Sequence, residues 1–252
     1  MGQRWANASA ARSLATPLGR DGHGSVVSLD LVEDAQGPHG LIAGTTGSGK
    51  SELIITMVLG LCVCYPPDEV SFVLIDYKGG GLAGAFQSDR HCLPHLAGVI
   101  TNLDGPAIRR SLASLKSELR RRQEFLNQAR DLVGEATMDI YRYLALRRQG
   151  VLSDPLPHLV IVADEFAELR QQEPEFMDEL MSAARIGRSL GVHLVLATQK
   201  PTGVVNDQIW SNARFKVCLK VADKADSREM LRRDDAAGFA NPGRFCMLVG
   251  YD

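Results

Sequence analysis

The sequence of 252 residues predicts an α/β fold in which helices flank a mainly parallel central sheet. Short apolar segments alternate with longer runs of helical periodicity, which is the pattern of parallel strands joined by helices. The strand candidates are rich in β-branched and aromatic residues, as strands covered on both faces usually are. In addition, a glycine-rich segment follows one strand candidate directly and leads into a helix, which is typical of a nucleotide-binding α/β domain.

The predicted strands are short and lie between turn-forming residues. They are residues 40–43, 70–75, 159–163, 192–197, 215–221 and 245–249, with a further strand or hairpin at 25–31. The predicted helices cover residues 50–65, 106–129, 137–149 and 174–190, and a shorter helix lies near 227–233. Proline is tolerated in a first helical turn, as at 106 and 174, and glycine is common just after a helix, as at 150 and 191.

The domain organisation follows from the same pattern. Residues 1–13 are small and polar without periodicity, and we expect a linker or the cut end of a longer chain there. Residues 14–252 are then predicted to form one domain, a normal size for a single core.

The composition excludes several classes of protein. It is 45% hydrophobic and 23% charged, which is close to the average of soluble globular proteins and unlike disordered or fibrous chains. The formal net charge of −2 argues against a protein whose main role is to coat nucleic acid. The five cysteines show no paired spacing, so we expect reduced side chains in a cytosolic setting.

A phosphate-binding loop is the strongest motif in the chain. Residues 44–51 match the pattern G-x-x-x-x-G-K-[ST] between a predicted strand and a predicted helix. Glycines let successive N–H groups point at phosphate oxygens, and the following helix adds its positive end. Lys50 would contact the β and γ phosphates, and the Ser51 hydroxyl would bind Mg²⁺. The predicted phosphate-binding residues are Gly44, Thr45, Thr46, Gly47, Ser48, Gly49, Lys50 and Ser51.

Two carboxylates follow the predicted strand 159–163. Asp164 and Glu165 would lie at the carboxyl edge of the sheet, where ligands of open α/β sheets bind. We expect Asp164 to hold Mg²⁺ through a water molecule. Glu165 is the predicted catalytic residue that orients and polarises the attacking water.

Two further strand ends carry polar residues. Gln199 follows the strand at 192–197 and is predicted to sense the γ-phosphate or the attacking water, with Thr198 as a weaker candidate; a role in the loop alone is the alternative. Asp76 and Lys78 follow the strand at 70–75 and precede three glycines. These two would either line the nucleotide site or pair with each other.

Basic and acidic residues are clustered despite the near-neutral total. Residues 109–122 and 214–233 are basic, whereas residues 165–179 are acidic. A basic helix that faces a neighbour's acidic helix would be consistent with a ring in which arginines complete the next subunit's site, although two solvated helix faces would look the same. The candidates for such an arginine are Arg121 and Arg122, followed by Arg185, Arg188 and Arg214.

Taken together, these motifs resemble the FtsK/SpoIIIE family of ring ATPases, and within it the ATPase modules of the EssC/EccC-type motor of type VII secretion. The resemblance extends from about Leu14 to the end of the chain. The segments that carry it are 44–51, 76–81, 164–166, 188–193 and 197–201. DNA pumps of the family typically have Asp-Pro-Lys where this chain has Asp76, Tyr77 and Lys78.

The resemblance implies a RecA-like fold, ATP with Mg²⁺, and a hexameric ring of this chain or of neighbouring ATPase modules. It also implies that the parent protein has a membrane component, lies on the cytoplasmic side of the bacterial cell membrane, and exports small helical-hairpin proteins. ATP hydrolysis coupled to protein export is therefore the expected function. Two alternatives stay open: a double-stranded DNA translocase of the same superfamily, although nucleic acid is not the expected partner, and a nucleotide-binding regulatory or docking module with little hydrolysis.

Overall fold

The computed structural model describes residues 2–76, 81–87, 92–101 and 105–250. Its strands are β1 (Ala15–Arg20), β2 (Val26–Asp30), β3 (Gly40–Ala43), β4 (Val70–Asp76), β5 (Leu96–Thr101), β6 (His158–Asp164), β7 (Val192–Thr198), β8 (Phe215–Cys218) and β9 (Cys246–Val249). Its helices are α1 (Gly2–Asn7), α2 (Lys50–Cys64), α3 (Gly81–Gly84), α4 (Gly105–Val133), α5 (Ile140–Arg148), α6 (Phe166–Gln172), α7 (Pro174–Gly187), α8 (Asp207–Asn212) and α9 (Lys224–Leu231).

The strands form one hairpin and one large sheet. β1 and β2 pair in antiparallel fashion. The other strands form a seven-stranded sheet in the order β5-β4-β6-β7-β3-β8-β9. Every pairing in this sheet is parallel except that of β8 with β9, which is antiparallel. The predicted α/β fold with a mainly parallel sheet is therefore confirmed.

The central strands are buried on both faces, which explains their apolar sequences. All residues of β3 and β7 are buried, and β6 is buried up to its last residue. One core lies between the sheet and α2 with α5, and the other lies between the sheet and α6 with α7. Gly40 must be glycine, because a Cβ atom there would overlap the Phe215 ring of the neighbouring strand.

The register of the sheet brings the polar strand ends together. Ala43 of β3 lies beside Thr198 of β7, and Asp76 of β4 lies beside Asp164 of β6. Since these strands are parallel, the segments that follow them all leave at the same edge of the sheet. This carboxyl edge is where open α/β sheets bind ligands.

Residues 2–13, in the segment predicted as a linker or the cut end of a longer chain, pack on the domain instead of extending from it as a linker. Trp5 Nε1 donates a hydrogen bond to the Cys62 carbonyl at 3.1 Å. Ala10 is fully buried, and its N–H donates to Glu69 Oε2 at 2.9 Å. The linker prediction is wrong because small residues without periodicity can bind through backbone groups, which leave no pattern in the sequence.

Other differences concern single elements. The strand predicted at 215–221 ends at Cys218: the Leu219 N–H still donates to Ala43 of β3, whereas the Val221 N–H donates to Ala236, outside the sheet. β5 has no counterpart among the predicted strands.

Gly150 and Gly191 have φ values of 76° and 74°, the left-handed conformation expected after helices. In the described part of the chain, no helix has the length and apolar character needed to cross a membrane.

Candidate functional site

The phosphate-binding loop leaves β3 and is fixed by the two neighbouring strands. The Gly44 N–H donates to the Thr198 carbonyl at 3.1 Å, and the Thr45 N–H donates to the Lys220 carbonyl at 2.9 Å. Gly47 and Gly49 have φ values of 78° and 94°, which other residues adopt only with strain. These two glycines let the loop curl before α2 begins.

The loop presents donors that the described protein atoms leave without partners. Within the described ranges, the N–H groups of Thr46, Gly47 and Gly49 form no backbone hydrogen bond. The Ser48 hydroxyl is buried without a partner there as well. Gly49 provides no side-chain cap for α2, so the positive end of this helix is open. Such a cradle suits a polyphosphate.

Lys50 and Asp164 form an ion pair across the site. Lys50 is the first residue of α2 and is only 7% exposed, and its Nζ donates to Asp164 Oδ1 at the end of β6. Ser51 follows on the exposed side of the helix. The cation predicted for phosphates and the carboxylate predicted for Mg²⁺ therefore lie within contact of each other.

Glu165 is held in an unusual backbone conformation beside Asp164. Its φ of 57° and ψ of 46° are left-handed, which is rare for a residue other than glycine and is associated with functional sites. The Glu165 N–H donates to Asp164 Oδ1 at 3.0 Å. Glu165 Oε1 accepts from the Thr198 hydroxyl at 3.2 Å and from the Gln199 N–H at 3.3 Å.

Gln199 connects this carboxylate to the loop. Its Oε1 accepts from the Thr46 hydroxyl at 3.0 Å. The structure therefore brings together the residues that the sequence singled out at three strand ends: the loop after β3, the carboxylates after β6, and Thr198 and Gln199 at the end of β7.

Asp76 lies at the end of β4 and is 4% exposed. Its Oδ2 accepts from the N–H groups of Leu82 and Ala83 at 3.2 and 3.4 Å, so it binds the start of α3. Lys78, the other residue of this prediction, lies outside the described residues.

The prediction that Arg122 reaches a neighbour's site is wrong. Arg122 is 1% exposed, and burial lowers the pKa of its guanidinium. It donates to the Leu190 carbonyl at 2.9 Å and to the Pro157 carbonyl at 2.8 Å, and it pairs with Glu118 at 2.8 Å. Its role is to join α4 to the segments before β6 and β7.

The other candidate arginines differ in accessibility. Arg121 is exposed and pairs with Glu118 at 2.7 Å, and Arg185 is exposed on α7. Arg188 donates to Asn212 at 3.1 Å, and Arg214 donates to the Glu33 carbonyl.

The basic helix α4 and the acidic helix α7 meet within the chain, through an ion pair between Lys116 and Glu179 at 2.9 Å. The clusters of opposite charge are thus partly explained without a neighbouring subunit.

One segment of the site was missed in the sequence. Residues 241–244, before β9, approach the loop, and the Gly243 N–H donates to the Ser48 carbonyl at 2.8 Å. Proline followed by glycine at 242 and 243 indicates a turn, but nothing in the sequence indicates that this turn contacts the phosphate-binding loop.

Comparison with known sequences decides the family. The sequence profile of the FtsK/SpoIIIE family matches residues 3–203. The chain belongs to this family. It is 53% identical over 248 residues to the type VII secretion system protein EssC of Staphylococcus aureus (strain Mu50 / ATCC 700699), covering 98% of this chain and 16% of that protein. It is also 53% identical over 250 residues to the ESX secretion system protein EccC of Geobacillus thermodenitrificans, with the same coverage of 98% and 16%. The chain thus spans about a sixth of the length of these relatives.

Solved structures give the same result. The cytoplasmic domain of the type VII secretion ATPase EccC of Thermomonospora curvata matches with a TM-score of 0.86 and 33% identity, over 100% of this chain and 29% of that one. The T. curvata EccC structure of ATPases 2 and 3, in complex with a signal sequence peptide, matches with a TM-score of 0.77 and 26% identity, over 97% and 42% of the two chains. The RecA-like FtsK/SpoIIIE domain and its resemblance to EssC and EccC are confirmed.

Proposed function

We propose that this chain binds ATP with Mg²⁺ and hydrolyses it as one ATPase module of a type VII protein secretion motor. The observation that carries the proposal is the convergence of Lys50, Asp164, Glu165 and Gln199 on the phosphate-binding loop at one edge of the sheet. The family and the similarity to EssC and EccC support the same conclusion.

The residues present fit the triphosphate of ATP. The free N–H groups of the loop and the open end of α2 would hold phosphate oxygens. The Lys50 ammonium would leave its ion pair with Asp164 and contact the β and γ phosphates instead. The Ser51 hydroxyl and, through water, the Asp164 carboxylate would hold Mg²⁺ as oxygen ligands. The metal would supply neutralisation of the phosphate charge.

The chemical step is assigned to Glu165. A carboxylate would accept a proton from the attacking water as the water oxygen adds to the γ-phosphorus, while the bond from that phosphorus to the bridging oxygen of the β-phosphate breaks and ADP leaves. Thr198 and Gln199 bind Glu165 Oε1 and so fix the direction of the carboxylate. The Gln199 side-chain oxygen is engaged by Thr46, which leaves its NH₂ group to donate to the γ-phosphate.

A neighbouring module is expected to complete the site. In the described part of the chain, none of the five candidate arginines donates to the phosphate-binding loop. We assign the transition-state arginine to an adjacent copy or module in a ring, which we expect to be hexameric. The accessible candidates are Arg121 and Arg185.

The partners are proposed from the relatives. A longer parent protein with a membrane component would hold this domain on the cytoplasmic side of the bacterial cell membrane. The cargo would be small helical-hairpin proteins that carry an export signal. The T. curvata EccC structure contains a signal sequence peptide, which supports peptide recognition by such motors.

A regulatory module is the second candidate, and the ion pair between Lys50 and Asp164 favours it. If this pair persists with nucleotide bound, Lys50 does not reach the γ-phosphate and Asp164 does not hold Mg²⁺. The domain would then bind nucleotide and hydrolyse little of it.

Direct binding tests the proposal. The wild-type chain should bind ATP in calorimetry, and Lys50→Ala should lose this binding. Lys116→Ala is the matched control, because Lys116 is an exposed lysine whose ion pair lies between α4 and α7. ATP binding by Lys50→Ala equal to that of the wild type would contradict the proposed site.

A further inference from the structure

The phosphate-binding loop has a second wall, formed by Lys220 and residues 239–244, on the side of β8 and β9. The Gly243 N–H donates to the Ser48 carbonyl at 2.8 Å. A Cβ atom on Gly49 would lie 3.0 Å from the Gly243 nitrogen, closer than ordinary contact, and the φ of 94° at this position also favours glycine. The wall therefore touches the loop directly before α2.

The wall also holds the beginning of the loop. The Lys220 carbonyl accepts from the Thr45 N–H at 2.9 Å and from the Thr45 hydroxyl at 3.1 Å. The Lys220 side chain is exposed. Both ends of the loop are thus bound to residues that follow β8 or precede β9, and this wall has a fixed position relative to any bound phosphate.

The groups assigned to hydrolysis lie on the other side of the loop. Asp164 ends β6, and Glu165 and Gln199 directly follow β6 and β7, whereas β3 lies between β7 and β8 in the sheet. A nucleotide with its γ-phosphate at these groups has its triphosphate along the loop. On the side of β6 and β7, the Glu165 and Thr198 side chains are buried beside the loop, at 6% and 1% exposed. The opposite end of this triphosphate then points toward β8 and β9, which is the side where the nucleoside would lie.

Arg244 offers a suitable contact on that side. Its side chain is exposed, and its guanidinium lies 5.1 Å from the centre of the Phe239 ring. In the ranges that the structure describes, no carboxylate forms an ion pair with Arg244. Around Gly243, a Cβ atom would meet no heavy atom within 4 Å, so the surface beside Arg244 is open. A guanidinium plane stacks well on flat π systems, and it has one face for Phe239 and one for a second ring.

We propose that residues 241–244 form the nucleoside subsite and that Arg244 stacks on the base of the bound nucleotide. This inference rests on the proposed function, because it assumes that the loop binds a nucleoside triphosphate. It adds a ligand group, the base, and a residue that the motifs of the family segments above do not include. Stacking does not depend on the hydrogen-bonding edge of the base, so Arg244 would strengthen the binding of adenine and guanine nucleotides alike.

The test distinguishes a contact with the base from a contact with the phosphates. Binding of ADP and of inorganic tripolyphosphate is measured by calorimetry for the wild type, Arg244→Ala and Arg244→Lys. Both variants should weaken ADP binding about threefold to tenfold and leave tripolyphosphate within about twofold, because lysine keeps the charge but not the plane. Arg130→Ala is the matched control, since Arg130 lies in the last turn of α4 and pairs with Asp131.

Three results would overturn the subsite. If Arg244→Ala binds ADP as tightly as the wild type, Arg244 does not contact the base. Equal weakening of ADP and tripolyphosphate, or restoration by Arg244→Lys, would make Arg244 a phosphate ligand instead. A wild-type chain that binds neither ligand would overturn the proposed function and the subsite with it, whereas failure of the subsite alone leaves the loss of binding in Lys50→Ala in place.

Discussion

The Thr46 hydroxyl donates to the side-chain oxygen of Gln199 at 3.0 Å and so joins the phosphate-binding loop to the end of β7. The backbone N–H of Gln199 in turn donates to Glu165 Oε1 at 3.3 Å. A continuous set of hydrogen bonds therefore leads from the loop to the carboxylate proposed as the catalytic base. A nucleotide that moves Thr46 would also move the groups that orient Glu165.

Replacing Thr46 tests this connection. Thr46→Ala should lower kcat about tenfold, because Gln199 loses the bond that directs its NH₂ group, while the ATP dissociation constant stays within about twofold. Thr46→Ser keeps the hydroxyl and should retain the wild-type kcat. Steady-state kinetics with calorimetric binding would measure both. A kcat in Thr46→Ala equal to that of Thr46→Ser would show that the bond has no role in turnover.

Glu165→Gln should bind ATP like the wild type and hydrolyse it at least about 100-fold more slowly, because glutamine does not accept the proton of the water. Glutamine also leaves the strained backbone and the side-chain size almost unchanged. Glu175→Gln, in the first turn of α7, is the control for the loss of one negative charge. Turnover by Glu165→Gln at the wild-type rate would assign the base to another residue.

Arg122 and Arg121 should differ in their effects on stability. Arg122→Met leaves the carbonyls of Leu190 and Pro157 without their donor and should lower the free energy of unfolding by about 2–4 kcal/mol. Arg121→Ala removes an exposed ion pair with Glu118 and should cost less than about 1 kcal/mol. Urea unfolding measures both values. Equal losses would contradict the structural role given to Arg122.

His39 should make stability depend on pH. Its Nδ1 accepts from the Leu194 N–H at 3.0 Å, and burial, with smaller effects of His193 and Arg188, lowers the pKa of His39 from 6.5 to about 3. The unfolded chain then binds a proton that the folded chain does not. The stabilising effect is complete above about pH 6.5 and falls by about 1.4 kcal/mol per pH unit as the pH drops toward 3.

The measurement is urea unfolding at pH 7, 6 and 5, with His39→Asn as the variant. Asparagine keeps an acceptor for the Leu194 N–H but does not titrate. The slope of the free energy of unfolding against pH should therefore correspond to about one proton fewer than in the wild type. His23→Asn is the control, because His23 is exposed in the turn between β1 and β2. A slope that is the same in His39→Asn and the wild type would refute the assignment.

The sequence predicted the elements that carry strong local patterns. β3, β6 and β7 are buried on both faces, and β4 is buried except at the half-buried Ser71 and Val73. Their largely apolar runs allowed strand ends to be placed within a residue or two. The loop at 44–51 and the carboxylates at 164 and 165 could be found because each residue type is dictated by phosphate or Mg²⁺ chemistry. That logic also placed Gln199 at the same edge.

The missed features depend on tertiary contacts. β5 lies at the edge of the sheet, and none of its six residues is fully buried. Gly98 interrupts its sequence, so the β-branched residues 99–101 formed too short a run to indicate a strand. The burial of Arg122 depends on two carbonyl groups far away in sequence, and a run of three arginines gives no indication of which one faces the core. The contact of Gly243 with Ser48 is likewise made by backbone atoms alone.

The most direct test of the central claim is the steady-state rate of ATP hydrolysis per chain, measured over a wide range of protein concentration with either linear DNA or a cognate export substrate. We predict a rate that rises with concentration, because a neighbour must complete the site, and that responds to the export substrate but not to DNA. Lys50→Ala should be inactive throughout. Stimulation by DNA would indicate a DNA translocase, and tight ATP binding without turnover under every condition, including the presence of neighbouring modules, would contradict the motor function.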